Sequence, residues 1–240
     1  MRSMSAPPPN EIQAIFDRIA PVYDDLNAWL SLGQHRVWKK MAVRWSACQA
    51  GHTALDVCCG SGDLAFLLGQ QVGSQGQVFA LDFSAQQLAI AQARHQRQYP
   101  RRNIQWLQGN ALELPFADQT FDSATMGYGL RNVPHIPQAL AELHRVLKKG
   151  AKVAILDFNH PSQVWMKAFQ RWYLANIVVP TANYFQVTEE YAYIFPSLER
   201  FPPGPEQIQL AKAAGFSQVV HYGIAGGLMG VLVAQKSKLE

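Results

Sequence analysis

The chain has 240 residues, 48% of them hydrophobic and only 16% charged, with a formal net charge of +4 and a pI near 9.0. That is an apolar, lightly charged globular protein, long enough for one α/β domain with additions and a well-buried core. No apolar stretch approaches the ~20 residues of a membrane-crossing helix, and the basic groups at Arg94-His95-Arg97, Arg101-Arg102 and Lys148-Lys149 lack interleaved aromatics, so no nucleic-acid surface is expected.

Met1 to Asn10 holds a Pro-Pro-Pro run and no apolar core, and reads as a short disordered tail, not a secretory signal. Residues 11–50 read as a helical lid. Asn10 suits the N-cap of a helix with Ile12, Ile15, Phe16 and Ile19 at helical spacing. Pro21 interrupts it and Gly33 ends the next helix. A third helix is predicted over Gln34–Ala47, with Val37, Trp38, Met41 and Trp45 on its apolar face. The three cysteines, Cys48, Cys58 and Cys59, are odd in number and two are adjacent. They predict reduced thiols in a cytoplasmic protein, not a disulfide framework or a metal centre.

At Thr53 an apolar run begins, Thr-Ala-Leu-Asp-Val-Cys-Cys, which ends in Gly60-Ser61-Gly62 before Asp63-Leu64-Ala65-Phe66 opens a helical pattern. A strand, a tight turn and a helix N-terminus follow one another there. The glycines let a ligand lie against the main chain, and the helix start adds free N–H donors. A second apolar run, Val78-Phe79-Ala80-Leu81, ends at Asp82, placed to accept the hydroxyls of a ribose. Gly60 to Ala65 satisfies G-x-G-x-x-G/A, so a dinucleotide such as NAD is one reading. Charge argues for another. Asp56 within the strand and Asp63 at the helix start would repel a pyrophosphate but favour the sulfonium and α-ammonium of S-adenosylmethionine (SAM), which carries no phosphate.

Strands at 53–58, 76–82, 103–108, 120–126 and 151–158 alternate with helices at 63–72, 84–98 and 136–147, Ser84 serving as an N-cap. This alternation predicts a doubly wound α/β fold with a mostly parallel sheet and right-handed crossovers. Ligands then sit at the carboxyl ends of the strands, where Asp56 to Asp63, Asp82 with Phe83, Asn110-Ala111, Gly127 to Asn132 and Asp157 fall. Residues 51–159 form this core. Residues 160–204 break the rhythm with an insert rich in Trp, Tyr and Phe, in which only Lys167 and Arg171 are charged between Pro161 and Thr188. A helix over 205–214 and strands over 216–224 and 228–235, hairpin-linked at a sheet edge, complete one continuous domain.

Five motifs recur together in a known family: Tyr23-Asp24 with Asn27, Ser31-x-Gly33-x-His35-Arg36-x-Trp38, the Asp56–Leu64 loop, Leu114-Pro115-Phe116-x-Asp118, and Gly129-Leu130-Arg131-Asn132-Val133. From Phe16 to Lys236 the chain resembles the class I SAM-dependent methyltransferases, and within them the C-methyltransferases of menaquinone and ubiquinone biosynthesis. Asp56–Phe66, Met126–Val133 and Ile155–Asn159 look most like the branch of cyanobacteria and plants that acts on 2-phytyl-1,4-naphthoquinone (demethylphylloquinone) in the last step to phylloquinone. The resemblance implies a seven-stranded Rossmann-like sheet and a cofactor set of Asp56, Gly60, Ser61, Gly62, Asp82, Phe83, Asn110, Ala111 and Gly127. Serine stands at 61 where relatives often have threonine, Asn-Ala at 110–111 where many have Asp-Ala, and Gly127 where serine is frequent. Pro134-His135 replaces an acid common two residues after Val133.

A quinone ring is too electron-poor to attack a methyl group, so the resemblance implies a reduced phytyl naphthoquinol as substrate, with demethylmenaquinol or a prenylated benzoquinol as alternatives. Such a site needs a proton acceptor and a donor or cation near the developing oxyanion. Arg131 and Asn132 after the fourth strand, and Tyr23, Asp24 and Asn27 on the lid, are the candidates: Arg131 to hold a phenolate, Asp24 to orient a water or take a proton. Arg131 as a structural ion pair, Asp24 as a helix cap and His35 as a lid-positioning residue are the competing readings. The aromatic insert and the lid suggest shelter for the phytyl tail and a peripheral contact with a membrane surface. Nothing in the sequence specifies an oligomeric state.

Overall fold

The alternation closes into one seven-stranded sheet in a computed structural model that describes residues 33–178 and 194–238 together with Arg18, Ser31 and Pro180. The strands are β1 (Thr53–Val57), β2 (Gln77–Asp82), β3 (Ile104–Gln108), β4 (Phe121–Gly127), β5 (Leu147–Phe158), β6 (Gln218–Ile224) and β7 (Met229–Gln235), in the order β3-β2-β1-β4-β5-β7-β6. β1 to β5 run parallel, and β7 alone is reversed, antiparallel to β5 and to the edge strand β6. The chain leaves β1 toward β2 and β3 and then returns to place β4 on the other side of β1. That reversal opens a crevice at the carboxyl ends of β1 and β4.

The helices are α1 (His35–Trp45), α2 (Asp63–Val72), α3 (Ala85–Gln98), α4 (Ile136–Val146), α5 (Val164–Tyr173), α6 (Ile194–Arg200) and α7 (Gly204–Ala213). Strand side chains alternate between the two faces of the sheet. Leu55, Val57, Val153 and Ile155 therefore enter one core with Leu140 and Leu143 of α4 and Ala211 of α7. Ala54, Ala154 and Leu156 enter the other with Ala42 of α1, Leu64 and Leu68 of α2 and Leu88 of α3. Burial on both faces explains why these strands read as nearly continuous apolar runs.

Two expectations change. β5 starts at Leu147, straight after α4, and reaches its parallel register with β4 only after a shift between Phe121 and Ser123. In α1 the buried residues are His35, Lys39, Ala42 and Val43, while Val37 is exposed. Trp38 and Trp45 still pack, half-buried, against the core as predicted, but the fully buried face also takes His35, which finds Ser31 Oγ at 2.8 Å, and Lys39, which finds Asp63 at 2.7 Å. Buried polar groups are tolerated when they are bonded or paired. Apart from Arg18, Ser31 and Gly33, the predicted helices over 11–33 lie outside the described residues, as do the insert's aromatics between 181 and 193.

Candidate active site

The turn after β1 is held open for a ligand by backbone geometry. Cys58 (φ 56°), Gly60 (φ 52°) and Gly62 (φ 95°) all take left-handed conformations. A Cβ on Gly62 would stand 2.6 Å from Trp106 Cη2, so only glycine fits there. A Cβ on Gly60 would meet nothing closer than Gln87 Oε1 at 3.8 Å, because this glycine faces the cavity. Asp82 accepts from the Gly60 N–H at 2.8 Å and, through its other oxygen, from the Ser84 N–H at 2.9 Å. Asp82 thus fixes the turn after β1 to the start of α3 from the cavity wall. Ser84 caps α3 as its sequence position predicts, its Oγ accepting from the Gln87 N–H.

The cavity beside this turn holds about 460 Å³. At one end it is walled by Asp82, Phe83, Gln108, Asn110 and Ala111, past β2 and β3; at the other by Lys39, Asp63, Leu64, Gly127 and Tyr128, past β1 and β4. Gly129, Asn132, Val133 and Pro134 continue that second wall. Asn110 accepts the Leu112 N–H through Oδ1 at 3.0 Å, which leaves its amide NH₂ as the group presented to a ligand. Gln87 adds something unforeseen. Its side chain is buried, lines the cavity, and neither amide atom has a hydrogen-bond partner among the described residues. An enclosed, unpartnered amide beside an open glycine backbone and an acid at the end of β2 fits a ribose-bearing ligand such as SAM.

The electrostatics differ from the charge argument made on sequence. Asp63 does not face the site as an unpaired carboxylate: Lys39 Nζ reaches Oδ2 at 2.7 Å and Arg94 Nη2 reaches Oδ1 at 2.7 Å. Burial favours the neutral acid, but these two cations overcome it and hold Asp63 well below the ordinary range. Arg94 also donates to the Ser61 carbonyl, so it ties the glycine turn to α3. Asp56 does not line the cavity. It lies buried in β1, accepts from the Thr125 hydroxyl at 2.8 Å across the β1–β4 pair, and is pushed up to about 7, chiefly by burial. Asp56 is thus a packed acid behind the cavity wall, not one of the residues that line it as predicted. Burial likewise raises the Cys58 and Cys59 thiols, with Asp82 adding to it, so both stay protonated and unreactive.

The turn after β4 carries strain. Tyr128 has φ 58°, an uncommon conformation for a bulky residue. Its N–H donates to the Leu156 carbonyl at 2.7 Å, and its own carbonyl accepts from Arg131 Nη1 at 3.1 Å and Asn132 Nδ2 at 3.0 Å. Backbone strain of this kind persists only where the surroundings over-determine it. Arg131 supplies much of that determination. Its side chain is 6% exposed and pairs with Asp157 at 2.8 Å, while its N–H donates to the other Asp157 oxygen at 3.1 Å. The guanidinium is not among the groups lining the cavity, so the ion-pair reading of Arg131 describes its placement. Asn132 does line the cavity, and its Oδ1 has no partner among the described residues.

Of the predicted site residues, Gly60, Ser61, Asp82, Phe83, Asn110, Ala111, Gly127 and Asn132 line one cavity. Gly62 shapes the turn behind them, Asp56 and Arg131 sit behind the wall, and Tyr23, Asp24 and Asn27 lie outside the described residues. Sequence reasoning missed Lys39 and Gln87, and placed Tyr128 at the ligand edge without giving it a role. Lys39 had a signal, a cation four residues after His35 on the face that turned out to be buried; Gln87 had none beyond its place one turn into a capped helix. Among the described residues no helix is long and apolar enough to cross a membrane and no cluster of metal-ligating side chains occurs.

Comparison with known proteins agrees with this geometry. Residues 5–236 match the model of the ubiE/COQ5 methyltransferase family. The chain is 61% identical over 227 residues to a 2-phytyl-1,4-naphtoquinone methyltransferase of Nostoc punctiforme, covering 95% of this chain and 99% of that protein. It is 51% identical to the chloroplastic 2-phytyl-1,4-beta-naphthoquinone methyltransferase of Arabidopsis thaliana, covering 95% of this chain and 88% of that one. Among solved structures, a SAM-dependent methyltransferase of Thermotoga maritima superposes with a TM-score of 0.65 at 18% identity over 94% of this chain and all of that one, and one of Aquifex aeolicus with 0.56 at 20% identity over 82% and 88%. The glycine turn, the acid closing β2 and the reversed seventh strand thus accompany a match along nearly the whole length, and the chain belongs to the ubiE/COQ5 methyltransferase family.

Proposed function

We propose that this methyltransferase places a methyl group from SAM on a ring carbon of reduced 2-phytyl-1,4-naphthoquinol, the final step of phylloquinone synthesis. The observation that carries this is the 61% identity to the Nostoc enzyme across 95% of the chain. The cavity supports it, because the cofactor-type wall at Gly60 and Asp82 is continuous with the Tyr128–Pro134 wall. At about 460 Å³ the cavity is near the small end of ligand sites, ~300–1,000 Å³. It suits a donor and a ring headgroup, and the phytyl tail must leave it.

SAM, when bound, supplies an electrophilic methyl group on its sulfonium. Asp82 and Gln87 would hold the ribose, and the Gly60 backbone would let the donor lie close. The Tyr128 turn and Asn132 then face the ring. Asn132 Oδ1 accepts from a quinol hydroxyl, which orients the ring and raises electron density on its reacting carbon. Transfer of that methyl group to the ring carbon would release S-adenosylhomocysteine, and the proton lost from that carbon as the ring rearomatises would need an acceptor at this wall. In-line displacement needs mainly alignment at about 3 Å, which a stiff turn provides. The Arg131–Asp157 pair works through Tyr128, by holding that turn. Asp24, Tyr23 and Asn27 on the lid segment complete the proposed site, Asp24 as the proton acceptor or its water-orienting partner.

The tail reading extends to the insert. Val164, Trp165, Phe169 and Trp172 of α5 are exposed, none of that helix is buried, and Lys167 and Arg171 lie among them. An apolar stripe with basic neighbours suits the interface of an anionic bilayer. We place peripheral membrane contact there, with the quinol entering tail-last. The test is transfer from labelled SAM to demethylphylloquinone with and without dithionite. Methylation only under reducing conditions is expected. Equal rates under oxidising conditions refute the quinol requirement, and transfer to a benzoquinol alone refutes the substrate.

A further inference from the structure

The sheet ends at β6, and nothing within that strand protects the edge. Its seven residues, Gln218–Ile224, include no Lys, Arg, Asp, Glu or Pro, and the register with β7 runs unbroken from Gln218 to Ile224, without a bulge. Charges, prolines and bulges are the devices by which folded proteins keep an edge strand from pairing. β6 also presents apolar side chains to solvent: Val220 is 45% and Tyr222 41% exposed. The opposite edge, β3, carries no exposed large apolar side chain.

The ladder fixes which backbone groups of β6 turn outward. The Lys236 N–H donates to the Ala151 carbonyl and the Lys236 carbonyl accepts from the Gly150 N–H, so the backbone at Lys236 faces β5. Backbone direction alternates along an antiparallel strand. Gln235, Val233, Val231 and Met229 therefore face β6, and their partners Gln218, Val220, Tyr222 and Ile224 face back toward β7. The Ser217 N–H, which donates to the Gln235 carbonyl, agrees. Val219, His221 and Gly223 are left with N–H and C=O pointing away from the sheet. That pattern is complementary to itself. Reversing the strand about His221 sets Val219 against Gly223, and His221 against its own copy, as hydrogen-bonded pairs. Val220 then meets Tyr222 in the closer, non-hydrogen-bonded pair. A β-branched residue opposite an aromatic one is a favourable cross-strand pair, and Trp45, stacked on Tyr222 at 4.6 Å, broadens the apolar contact. His221 brings no like charges together at the axis, because burial against Gly204 and Gly230 pushes its imidazole below the ordinary range and keeps it neutral.

We infer that β6 pairs antiparallel with β6 of a second copy of this chain, forming a symmetric dimer with one sheet running through both protomers. The same patch serves both copies, as a two-fold interface requires. Because the strands run in opposite directions, the carboxyl edges of the two sheets point opposite ways, and neither copy covers the other's cavity.

Sedimentation tests the pairing. Wild type should shift from 26.8 kDa toward twice that mass as its concentration rises through the micromolar range. Val220→Lys puts a charge on the edge, and Gly223→Pro removes an outward N–H while leaving the ladder to β7 intact. Each should weaken the dimer roughly tenfold or more. Cross-linking reads the register without relying on either variant. An equimolar mixture of Val220→Cys and Tyr222→Cys proteins should form an intermolecular disulfide on oxidation, since opposed Cα atoms in such a pair lie about 4.5 Å apart. Neither protein alone should do so, because two copies of one position then stand about 8 Å apart. A wild type that stays monomeric at about 100 μM overturns the inference. So does a dimer that both edge variants leave intact, or a mixture that cross-links no faster than its components.

Discussion

Gln87→Met separates a group kept for a ligand from one that merely packs. The Gln87 side chain is 2% exposed and lines the cavity beside Gly60, with both amide atoms unpartnered among the described residues. A buried amide left unsatisfied costs about 1–3 kcal/mol. Methionine has nearly the same volume and no such cost, so the ligand-free variant should be more stable by up to that amount. In a protein of this size each kcal/mol moves Tm by about 2–4 °C. Binding should shift the other way. If the amide is satisfied by a ribose hydroxyl only in the complex, its loss removes about 1–2 kcal/mol, or roughly 5- to 30-fold in Kd. Thermal melts without ligand and calorimetry with S-adenosylhomocysteine read the two effects. A variant that melts no higher and binds equally well would refute the reasoning, because the amide would then be satisfied without the donor.

Arg131→Ala should cost about 3–5 kcal/mol by stranding the buried Asp157 carboxylate, and methyl transfer should fall with it; denaturant unfolding reads the first. The double variant Arg131→Met, Asp157→Leu should recover most of the stability, and recovery of activity in parallel would confirm a positioning role, whereas a folded but inactive double variant would show direct contact with substrate. Asp56 titrates in the opposite sense from a paired acid. Its folded value, about 7, lies above the ordinary 3.8, so the stability it allows is complete below about pH 4 and is lost as pH rises toward 7. Relative to wild type, Asp56→Asn should gain stability steadily over that window, by roughly 4 kcal/mol at ~1.4 kcal/mol per pH unit; a wild-type–variant difference that does not change with pH would show that the acid is not desolvated. Trp165→Ala with Trp172→Ala should cut flotation with anionic liposomes at least tenfold, since each buried large apolar side chain contributes about 1.5–3 kcal/mol; unchanged flotation would move the membrane contact elsewhere.

Much of the site was legible in the chain because its parts are local. A run of apolar residues ending in Gly60-Ser61-Gly62 demands a strand, a turn with positive φ and a helix start, and each was found within a residue of its predicted bounds. Asp82 lies 22 residues beyond Gly60 at the end of the next strand, and parallel pairing of β1 with β2 brings the two within hydrogen-bond reach. Ser84 caps its helix through a contact three residues away. Strand period, glycine geometry and capping all act over a few residues, so no knowledge of the rest of the fold is needed to read them.

Charge is another matter. The acids of the Asp56–Asp63 loop pointed to a cationic donor, yet neither acts as an open carboxylate toward it. Asp63 is neutralised by Lys39, 24 residues earlier, and by Arg94, 31 residues later, while Asp56 is withdrawn into a sheet against Thr125, 69 residues away. The same distance effect let Lys39 face inward on α1 and joined Arg131 to Asp157 behind the Tyr128 turn. The backbone of the donor-binding turn at Gly60–Gly62 was therefore determined by the sequence alone, since sterics at glycine are local. Which side chains present charge or hydrogen-bonding capacity to the ligand was decided only by the tertiary structure, because a buried group's ionisation and orientation depend on partners that the fold brings from far along the chain.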